Sequence, residues 1–307
     1  MITRRACAKI NLMLSVGAAV RTGPRAGWHP IASWMHAVDL SDEIRLARLC
    51  DGRPSEHVVR WADDAPRPTP IDWAIKDDLA VRAQRLLERE VGRSLPVRMD
   101  LLKRVPTGAG MGGGSSDAAA MLLGLDALFG LALGVPRLRD LSAGIGSDVP
   151  FFVDERAPPR PGVVTGLGDL IERVSPSRAD VVLVIPPVSV ATGPVYRAYD
   201  ASHCARSARE AEVAALSRSP IDAGSLFNDL EAPAACVEPE LEHLRQHVQR
   251  VSSIPTRMTG SGSVLFVVCD TGAGHEVRDV LERDQRQTRA RVPGIWDQCV
   301  VVLTRLV

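Results

Sequence analysis

The stretch Arg104-Val-Pro-Thr-Gly-Ala-Gly-Met-Gly-Gly-Gly-Ser-Ser-Asp-Ala-Ala-Ala-Met-Leu-Leu123 places five glycines between positions 108 and 114, directly before an apolar helical pattern. Glycine permits positive φ and lets the backbone approach a ligand closely. A helix that follows such a loop offers unpaired N–H groups and the positive end of its dipole to an anion. The segment therefore predicts a phosphate-binding loop.

Better-known glycine motifs do not fit this stretch. A P-loop needs a lysine before its hydroxyl residue, and Gly114 stands in that place. Gly108, Gly110 and Gly113 satisfy G-x-G-x-x-G, but the acidic residue about 20 positions on, Asp126, lies inside the helical pattern of 118–129 instead of ending a second strand. The chain has neither the H-R-D nor the D-F-G motif of protein kinases. A flexible linker is the remaining alternative, but a linker seldom runs directly into an alanine-leucine helix.

Composition narrows the class of protein. The chain has 307 residues, enough for two domains, and its 37 basic and 37 acidic residues cancel. This balance argues against nucleic acid or an anionic membrane as the main partner and favours a small molecule. The six cysteines form no C-x-x-C pair, which predicts a reducing, cytoplasmic setting. Lys9 and Asn11 interrupt the apolar start, so we expect a soluble and unprocessed protein.

The pattern along the first half predicts strands over 6–16, 31–38, 43–49 and 96–104, a helix over 73–91 and an exposed Pro-rich loop over 52–70. In the first strand, Lys9 and Asn11 point to the same side, a pattern that also fits an ordinary half-exposed strand. The second half predicts an α+β sandwich, with strands over 181–185, 263–269 and 300–303 and helices over 207–216, 238–250 and 274–284. The prolines of 154–161 predict a domain boundary.

Three separated segments of the chain are best interpreted together. They are Ala8-Lys9-Ile10-Asn11, the glycine loop, and Asp148-Val-Pro-Phe-Phe152. Together they resemble the GHMP kinase superfamily, whose members phosphorylate small-molecule alcohols. Asn228-Asp-Leu-Glu231, which we assign to structure, and Thr259-Gly-Ser-Gly262 extend the resemblance over most of the chain. It implies an α+β, two-domain fold. The N-terminal ATP-binding domain (1–157) would resemble ribosomal protein S5 domain 2, and the C-terminal substrate-binding domain (158–307) a ferredoxin-like α/β sandwich.

The resemblance also implies roles for residues. Asp148 would be the base that takes the proton of the substrate hydroxyl, with Lys9 beside it, and Ser116 would approach Mg²⁺. The ATP phosphates would be held by the loop residues Pro106, Thr107, Gly108, Ala109, Gly110, Met111, Gly112, Gly113, Gly114, Ser115 and Ser116. Helix capping is the alternative role for Ser115, Ser116 and Asp148.

Substrate residues follow from the same resemblance. Members whose alcohol carries a cytidine diphosphate group contact its base with a tyrosine-histidine pair and an aromatic residue of the second domain. Trp28-His29 and Tyr196 occupy these positions, and Asn11 and Thr192 complete the predicted substrate set. Two aromatic faces and a histidine suit a flat pyrimidine.

The chain departs from the family pattern at several positions. They are Trp28 in place of Tyr, Asp126 in place of Asn, Gly168-Asp169 in place of Gly-Glu, and Thr259 in place of Ser. None of these changes removes a catalytic group. Two alternative functions stay open: a GHMP kinase for another alcohol, such as homoserine or mevalonate, and a non-catalytic ligand sensor. Retention of both Lys9 and Asp148 argues against the sensor.

Overall fold

The computed structural model of the chain describes residues 1–202, 207–289 and 294–307. Here the chain forms two compact units. The first comprises residues 1–8, 40–107 and 112–160, and the second residues 9–39, 108–111 and 161–307. The second unit thus takes up two segments from the first half of the sequence. The assignment of ATP binding to 1–157 and of substrate binding to 158–307 stays a prediction.

The strands and helices follow one another in mixed order. The strands of the described residues are β1 (Ile2–Val16), β2 (Ile31–Arg48), β3 (Glu56–Trp61), β4 (Val97–Lys103), β5 (Gly162–Thr165), β6 (Leu170–Arg173), β7 (Asp180–Ile185), β8 (Phe227–Asn228), β9 (Thr256–Met258), β10 (Leu265–Cys269) and β11 (Val300–Arg305). The α-helices are α1 (Leu79–Val91), α2 (Gly113–Phe129), α3 (Gly134–Ser142), α4 (Val149–Phe152), α5 (Thr192–Ser202), α6 (Glu210–Leu216), α7 (Glu231–Val237), α8 (Pro239–Ser252) and α9 (Gly274–Arg289). Within the described residues, no helix has the length and apolar character needed to cross a membrane.

In the first unit, β4 lies between two partners. It pairs parallel to β3 and antiparallel to the C-terminal part of β2. Val97, Met99, Leu101 and Lys103 are buried at every second position of β4, the period that a strand with one buried face requires. Helix α1 packs on α2, and α2 also contacts α3 and α4. This packing fixes the strand that leads into the glycine loop and the helix that leaves it.

The prediction of an exposed loop over 52–70 is wrong in its middle, where β3 forms. The prolines that suggested a loop, Pro54 and Pro66, flank the strand and do not interrupt it. Because β3 ends the strand order and pairs with β4 alone, it tolerates polar, partly exposed side chains. The two strands predicted over 31–38 and 43–49 are one continuous strand, β2.

The helix predicted over 73–91 begins later than expected. A short 3-10 helix (Ile75–Asp77) precedes α1, whose N-cap is Asp78. The Asp78 carboxylate accepts a hydrogen bond from the backbone N–H of Ala80 at 2.9 Å. This contact satisfies one of the N–H groups that the first turn of a helix leaves unpaired.

The second unit contains an antiparallel four-stranded sheet in the order β11-β7-β10-β9. Its central strands β7 and β10 carry almost unbroken apolar runs, and nearly all of their residues are buried. Helices α5, α7, α8 and α9 add side chains to the same core, among them Tyr199, Leu244 and Leu281. The alternation of strands and helices predicted for the second half is therefore confirmed.

His36 on β2 is a buried histidine of the second unit. Its Nδ1 lies 3.0 Å from the carbonyl oxygen of Ala37, and its Nε2 accepts a bond from the N–H of Ser177 at 3.3 Å. This pair of contacts requires the neutral ring with the proton on Nδ1. Burial lowers the pKa of His36 from its ordinary 6.5 to about 4, although the bond to Ala37 opposes the change.

The protein should therefore lose stability as the pH falls from about 6.5 towards 4, because the unfolded histidine binds a proton there and the folded one does not. At about 1.4 kcal/mol per pKa unit, the loss from this residue alone is roughly 3 kcal/mol. Urea unfolding at pH 7 and at pH 4, with His36→Gln beside the wild type, measures it. An equal loss in both proteins would assign the pH dependence to other groups.

Candidate active site

The tip of the glycine loop, Gly108–Met111, belongs to the second unit. Gly110 has φ +75°, and a Cβ atom there would lie 2.2 Å from the carbonyl oxygen of Thr259. No other residue fits this position without moving the Thr259 backbone. The loop tip is therefore held close to the turn that carries the third glycine motif, Thr259-Gly-Ser-Gly262.

Lys9 and Asn11 contact the same loop tip from strand β1. The backbone N–H of Lys9 donates to the carbonyl of Met111 at 2.9 Å, and its Nζ donates to Oδ1 of Asn11 at 2.6 Å. Both side chains are buried, with 3% and 2% of their surface exposed. Because this face of β1 is buried, the alternative of an ordinary half-exposed strand is wrong here. A buried lysine needs fixed polar partners, and Asn11 is one.

Thr259 joins these groups into one network. Its Oγ1 accepts from the N–H of Asn11 at 3.1 Å and lies 3.2 Å from two acceptors, Oδ1 of Asn11 and the carbonyl of Gly110. These contacts need a hydroxyl, which threonine supplies as well as serine. The Asn228 amide donates to the carbonyls of Met258 and Gly260, at 2.7 and 2.8 Å, and so holds the same turn. Asn11 fixes Lys9, and its predicted contact with substrate stays a prediction.

The stem of the loop and the start of α2 belong to the first unit. The N-cap of α2 is Gly112, with φ +69°, and no side chain caps the helix. Ser115 and Ser116 lie inside the first turn, so the alternative that they are N-caps is wrong. The first N–H groups of α2 therefore keep the free donors and the positive dipole end that an anion would bind. Ser115 is partly exposed, and Ser116 is buried.

A buried ion triad, which the sequence analysis missed, joins the two stems of the loop. Lys103, the last residue of β4, donates from Nζ to Oδ2 of Asp42 at 2.5 Å and to Oδ2 of Asp117 at 2.7 Å. Oδ1 of Asp42 accepts the N–H groups of Arg104 and Val105, the latter at 2.7 Å. The strand before the loop and the helix after it thus share one buried lysine.

The charges of this triad perturb one another. Burial raises the pKa of Asp117 well above its usual range, and Lys103 only partly offsets that effect. Burial alone would lower the pKa of Lys103, but the two carboxylates outweigh it and the pKa stands above its ordinary value. Oδ1 of Asp117 is buried and has no hydrogen-bond partner among the described residues. Each member of the triad is a charged residue on an otherwise apolar face of a strand or helix. That is a signal in the sequence, but the three positions lie far apart and nothing in the sequence links them.

Asp148 lies at the start of α4 in the first unit. It occupies the N-cap position of α4, as the alternative role requires, but its side chain makes no capping hydrogen bond to that helix. The four residues of α4 are all buried, and the rings of Phe151 and Phe152 meet edge to face at 5.1 Å. This packing fixes the backbone that carries the half-buried Asp148 carboxylate. That Asp148 acts beside Lys9, and that Ser116 binds a metal, stay predictions.

The residues predicted to bind a base lie in the second unit. Trp28 is 53% exposed, whereas His29 is buried. The His29 ring lies 5.0 Å from that of Tyr196 and 5.7 Å from that of Tyr199. Its Nδ1 lies 2.9 Å from the carbonyl of Gly17, so Nδ1 carries the proton.

Nε2 of His29 and the side chain of Thr192 also have polar neighbours. Nε2 of His29 lies 3.4 Å from the carboxylate of Asp200, a residue that the sequence analysis did not single out. Thr192, at the start of α5, shares a 2.9 Å hydrogen bond with Ser261 of the third glycine motif. The structure thus brings His29 and Tyr196 together, and places Thr192 beside the turn that holds the loop tip.

Known proteins resemble this chain over nearly its whole length. Residues 78–156 match the family described as GHMP kinases N terminal domain. A 4-diphosphocytidyl-2-C-methyl-D-erythritol kinase of Geobacillus thermodenitrificans (strain NG80-2) is 36% identical over 303 residues, 97% of this chain and 95% of that protein. The kinase of the same name from Xanthomonas oryzae pv. oryzae (strain MAFF 311018) is 34% identical over 289 residues, 94% of this chain and 85% of that protein.

Solved structures agree with the sequence relatives. A crystal structure of 4-(cytidine 5'-diphospho)-2C-methyl-D-erythritol kinase covers 99% of both chains with a TM-score of 0.70 and 29% identity. The mevalonate kinase of Methanococcus jannaschii shares the fold alone, with a TM-score of 0.66 and 9% identity over 100% of this chain and 98% of that chain. The predicted α+β GHMP kinase fold is confirmed. The chain belongs to the GHMP kinase superfamily and, within it, to the family of 4-diphosphocytidyl-2-C-methyl-D-erythritol kinases.

Proposed function

We propose that the protein transfers the γ-phosphoryl group of ATP to the 2-hydroxyl of 4-diphosphocytidyl-2-C-methyl-D-erythritol, in the non-mevalonate synthesis of isoprenoid precursors. It is an ATP-dependent small-molecule kinase. Relatives of this name are 34% and 36% identical over almost the whole chain, whereas the mevalonate kinase is 9% identical. The family relationship therefore favours the cytidine-bearing alcohol over mevalonate or homoserine.

One observation in the second unit carries the proposal. Lys9, Asn11 and Thr259 are tied by hydrogen bonds to the tip of the glycine loop. Phosphoryl transfer depends mainly on positioning and on stabilising charge, with little covalent help from the protein. A buried lysine fixed against a phosphate loop supplies both. This arrangement supports a catalytic protein over a ligand sensor.

The proposed roles divide the reaction among few residues. Asp148 takes the proton of the attacking 2-hydroxyl as a general base. Lys9 stabilises the negative charge that develops between the alcohol oxygen and the γ-phosphate, and a nearby ammonium also keeps a carboxylate ionised. The loop amides of residues 106–116 and the N-terminus of α2 hold the phosphates of ATP.

The uncapped start of α2 fits a bound triphosphate, because its first N–H groups have no side-chain acceptor. In P-loop enzymes a serine or threonine hydroxyl helps to hold Mg²⁺ against the phosphates, and the hydroxyl of Ser116 is the candidate for that role in this chain. When bound with ATP, the ion neutralises phosphate charge. The described residues contain no group of three or more His, Cys, Asp or Glu side chains arranged for a metal.

The test of this function is ADP release from MgATP in the presence of a panel of alcohols. We expect 4-diphosphocytidyl-2-C-methyl-D-erythritol to stimulate release, and mevalonate and homoserine to leave it at background. A preference for mevalonate or homoserine would overturn the substrate assignment but leave the kinase activity supported. If no alcohol stimulates release, the kinase itself is rejected in favour of a sensor.

Trp28→Ala should raise the KM for the cytidine-bearing substrate about 5- to 100-fold, because stacking of a base on an aromatic ring contributes about 1–3 kcal/mol. The KM for ATP should not change. Trp28 is half exposed, so its removal leaves no cavity and the melting temperature should stay constant. Leu170→Ala, at an equally exposed position of the same unit, is the control. An unchanged substrate KM would remove Trp28 from the substrate site.

A further inference from the structure

A row of arginines follows one face of helix α1 in the first unit. Arg82, Arg85 and Arg89 are spaced by three and four residues, so their side chains emerge on the same side. All three are exposed. The opposite side of α1 is buried through Ala80, Val81, Ala83, Gln84 and Leu87.

These arginines line a pocket of about 260 Å³. Lys76 and Asp77 of the preceding 3-10 helix and Ile145 form other parts of the wall. Nη1 of Arg85 donates to the carbonyl of Lys76 at 3.0 Å, which fixes one guanidinium in place. Four cationic side chains and one carboxylate give this pocket a formal charge of +3, in a chain whose total charge is zero.

No acidic side chain of the described residues forms an ion pair with any of these four cations. The other acids of α1 are engaged elsewhere: Glu88 accepts from the N–H of Leu95 at 2.9 Å, and Glu90 pairs with Arg137 at 2.5 Å. Like charges at this spacing destabilise a helix. The arrangement therefore has an electrostatic cost that a bound anion would offset.

Helix α9 shows the usual alternative on the same chain. Its Arg278 lies 2.6 Å from Asp279 and 3.9 Å from Glu282, and its Arg286 lies 3.6 Å from Glu282. Surface arginines of this protein thus form ion pairs on one long helix, whereas the three arginines of the α1 pocket form none with the described residues. The contrast makes α9 a matched control for α1.

We propose that the α1 pocket binds a diphosphate group, as a second anion site separate from the glycine loop. Guanidinium groups form paired, charge-assisted hydrogen bonds to phosphate oxygens, and several of them suit a ligand of several negative charges better than a single carboxylate. The pocket volume of about 260 Å³ has room for the diphosphate group itself. The proposal does not depend on the kinase function.

Arginine labelling with phenylglyoxal, read residue by residue by mass spectrometry, tests the site in the intact protein. Inorganic diphosphate at ten times its Kd should slow the labelling of Arg82 and Arg89 about tenfold, because about one pocket in ten is then free. Arg278 and Arg286 should label at an unchanged rate. A parallel series with ADP shows whether the diphosphate of a nucleotide is accepted as well as the free ion.

The double variant Arg82→Gln/Arg89→Gln should raise the diphosphate concentration that protects Arg85 from labelling by at least about tenfold. This factor corresponds to a loss of about 1.4 kcal/mol of charge-assisted hydrogen bonding. Arg278→Gln/Arg286→Gln, which removes the same charge from α9, should leave it unchanged. Equal labelling with and without diphosphate overturns the proposal. So does equal protection by sulfate at the same ionic strength, or equal protection of Arg278, because either would mean general screening.

Discussion

Asp148→Asn should lower kcat about 10²- to 10⁴-fold, the usual contribution of a general base. The amide has nearly the shape of the carboxylate but cannot take up the proton of the attacking hydroxyl. Because the Asp148 side chain makes no capping hydrogen bond to α4, and because the buried residues Val149–Phe152 are untouched, we expect the melting temperature to stay near that of the wild type. Substrate-dependent ADP release at saturating MgATP gives kcat, and thermal unfolding gives stability.

Asp140→Asn is the control for this experiment. Asp140 is an exposed aspartate of α3 in the same unit, so its replacement makes the same chemical change outside the proposed site. We expect it to keep wild-type kcat. If Asp148→Asn retains kcat within about threefold of the wild type, far less than a general base contributes, Asp148 is not the base. A collapse of the melting temperature would instead give the residue a structural role.

Lys103→Met should destabilise the protein by about 3–5 kcal/mol, the usual cost of removing one partner from a buried ion pair. Asp42 and Asp117 would remain buried without their counter-charge; 0% and 2% of their side-chain surfaces are exposed. Unfolding in urea at pH 7 measures the loss. Because Asp42 also holds the backbone before the glycine loop, the KM for ATP should rise as well.

The pH gives this prediction a second readout. Without Lys103, burial still raises the folded-state pKa of Asp117 above the unfolded value of about 3.9, so the variant loses stability as the pH rises above that value. Its deficit relative to the wild type should therefore be largest at neutral pH and smallest near pH 4. Lys76→Met, at an exposed lysine, should change the unfolding free energy by less than about 0.5 kcal/mol. A loss below 1 kcal/mol for Lys103→Met would contradict the argument.

Replacing all three members of the triad separates charge from packing. Asp42→Asn/Lys103→Met/Asp117→Asn carries no buried charge at these positions, and removing a whole buried ion group is often close to neutral in stability. We expect this triple variant to be more stable than Lys103→Met alone. If it is less stable, lost packing and not the unpaired charge explains the single variant.

The sequence predicted those features that local chemistry requires. The glycines directly before an apolar helix indicated a phosphate loop, and the apolar runs of β7 and β10 indicated buried strands. Strand β3 was missed because the surrounding prolines and charged residues suggested a loop, although Val58, Val59 and Trp61 have high strand propensity. Its strand conformation comes from pairing with β4, a contact between residues about 40 positions apart.

By itself the sequence determined the family, the phosphate loop, the α+β fold and the identity of Lys9 as a candidate catalytic residue, because each is encoded in short, contiguous motifs. Only the tertiary structure decided what surrounds them. It showed that Lys103 bonds to two carboxylates and that Thr259 touches the loop tip. It also placed Ser115 and Ser116 inside α2, and Asp148 at the N-cap of α4 without a side-chain capping bond. The physical reason is that a hydrogen bond or a buried ion pair depends on distances between segments far apart in the chain, and a single sequence carries no record of those distances.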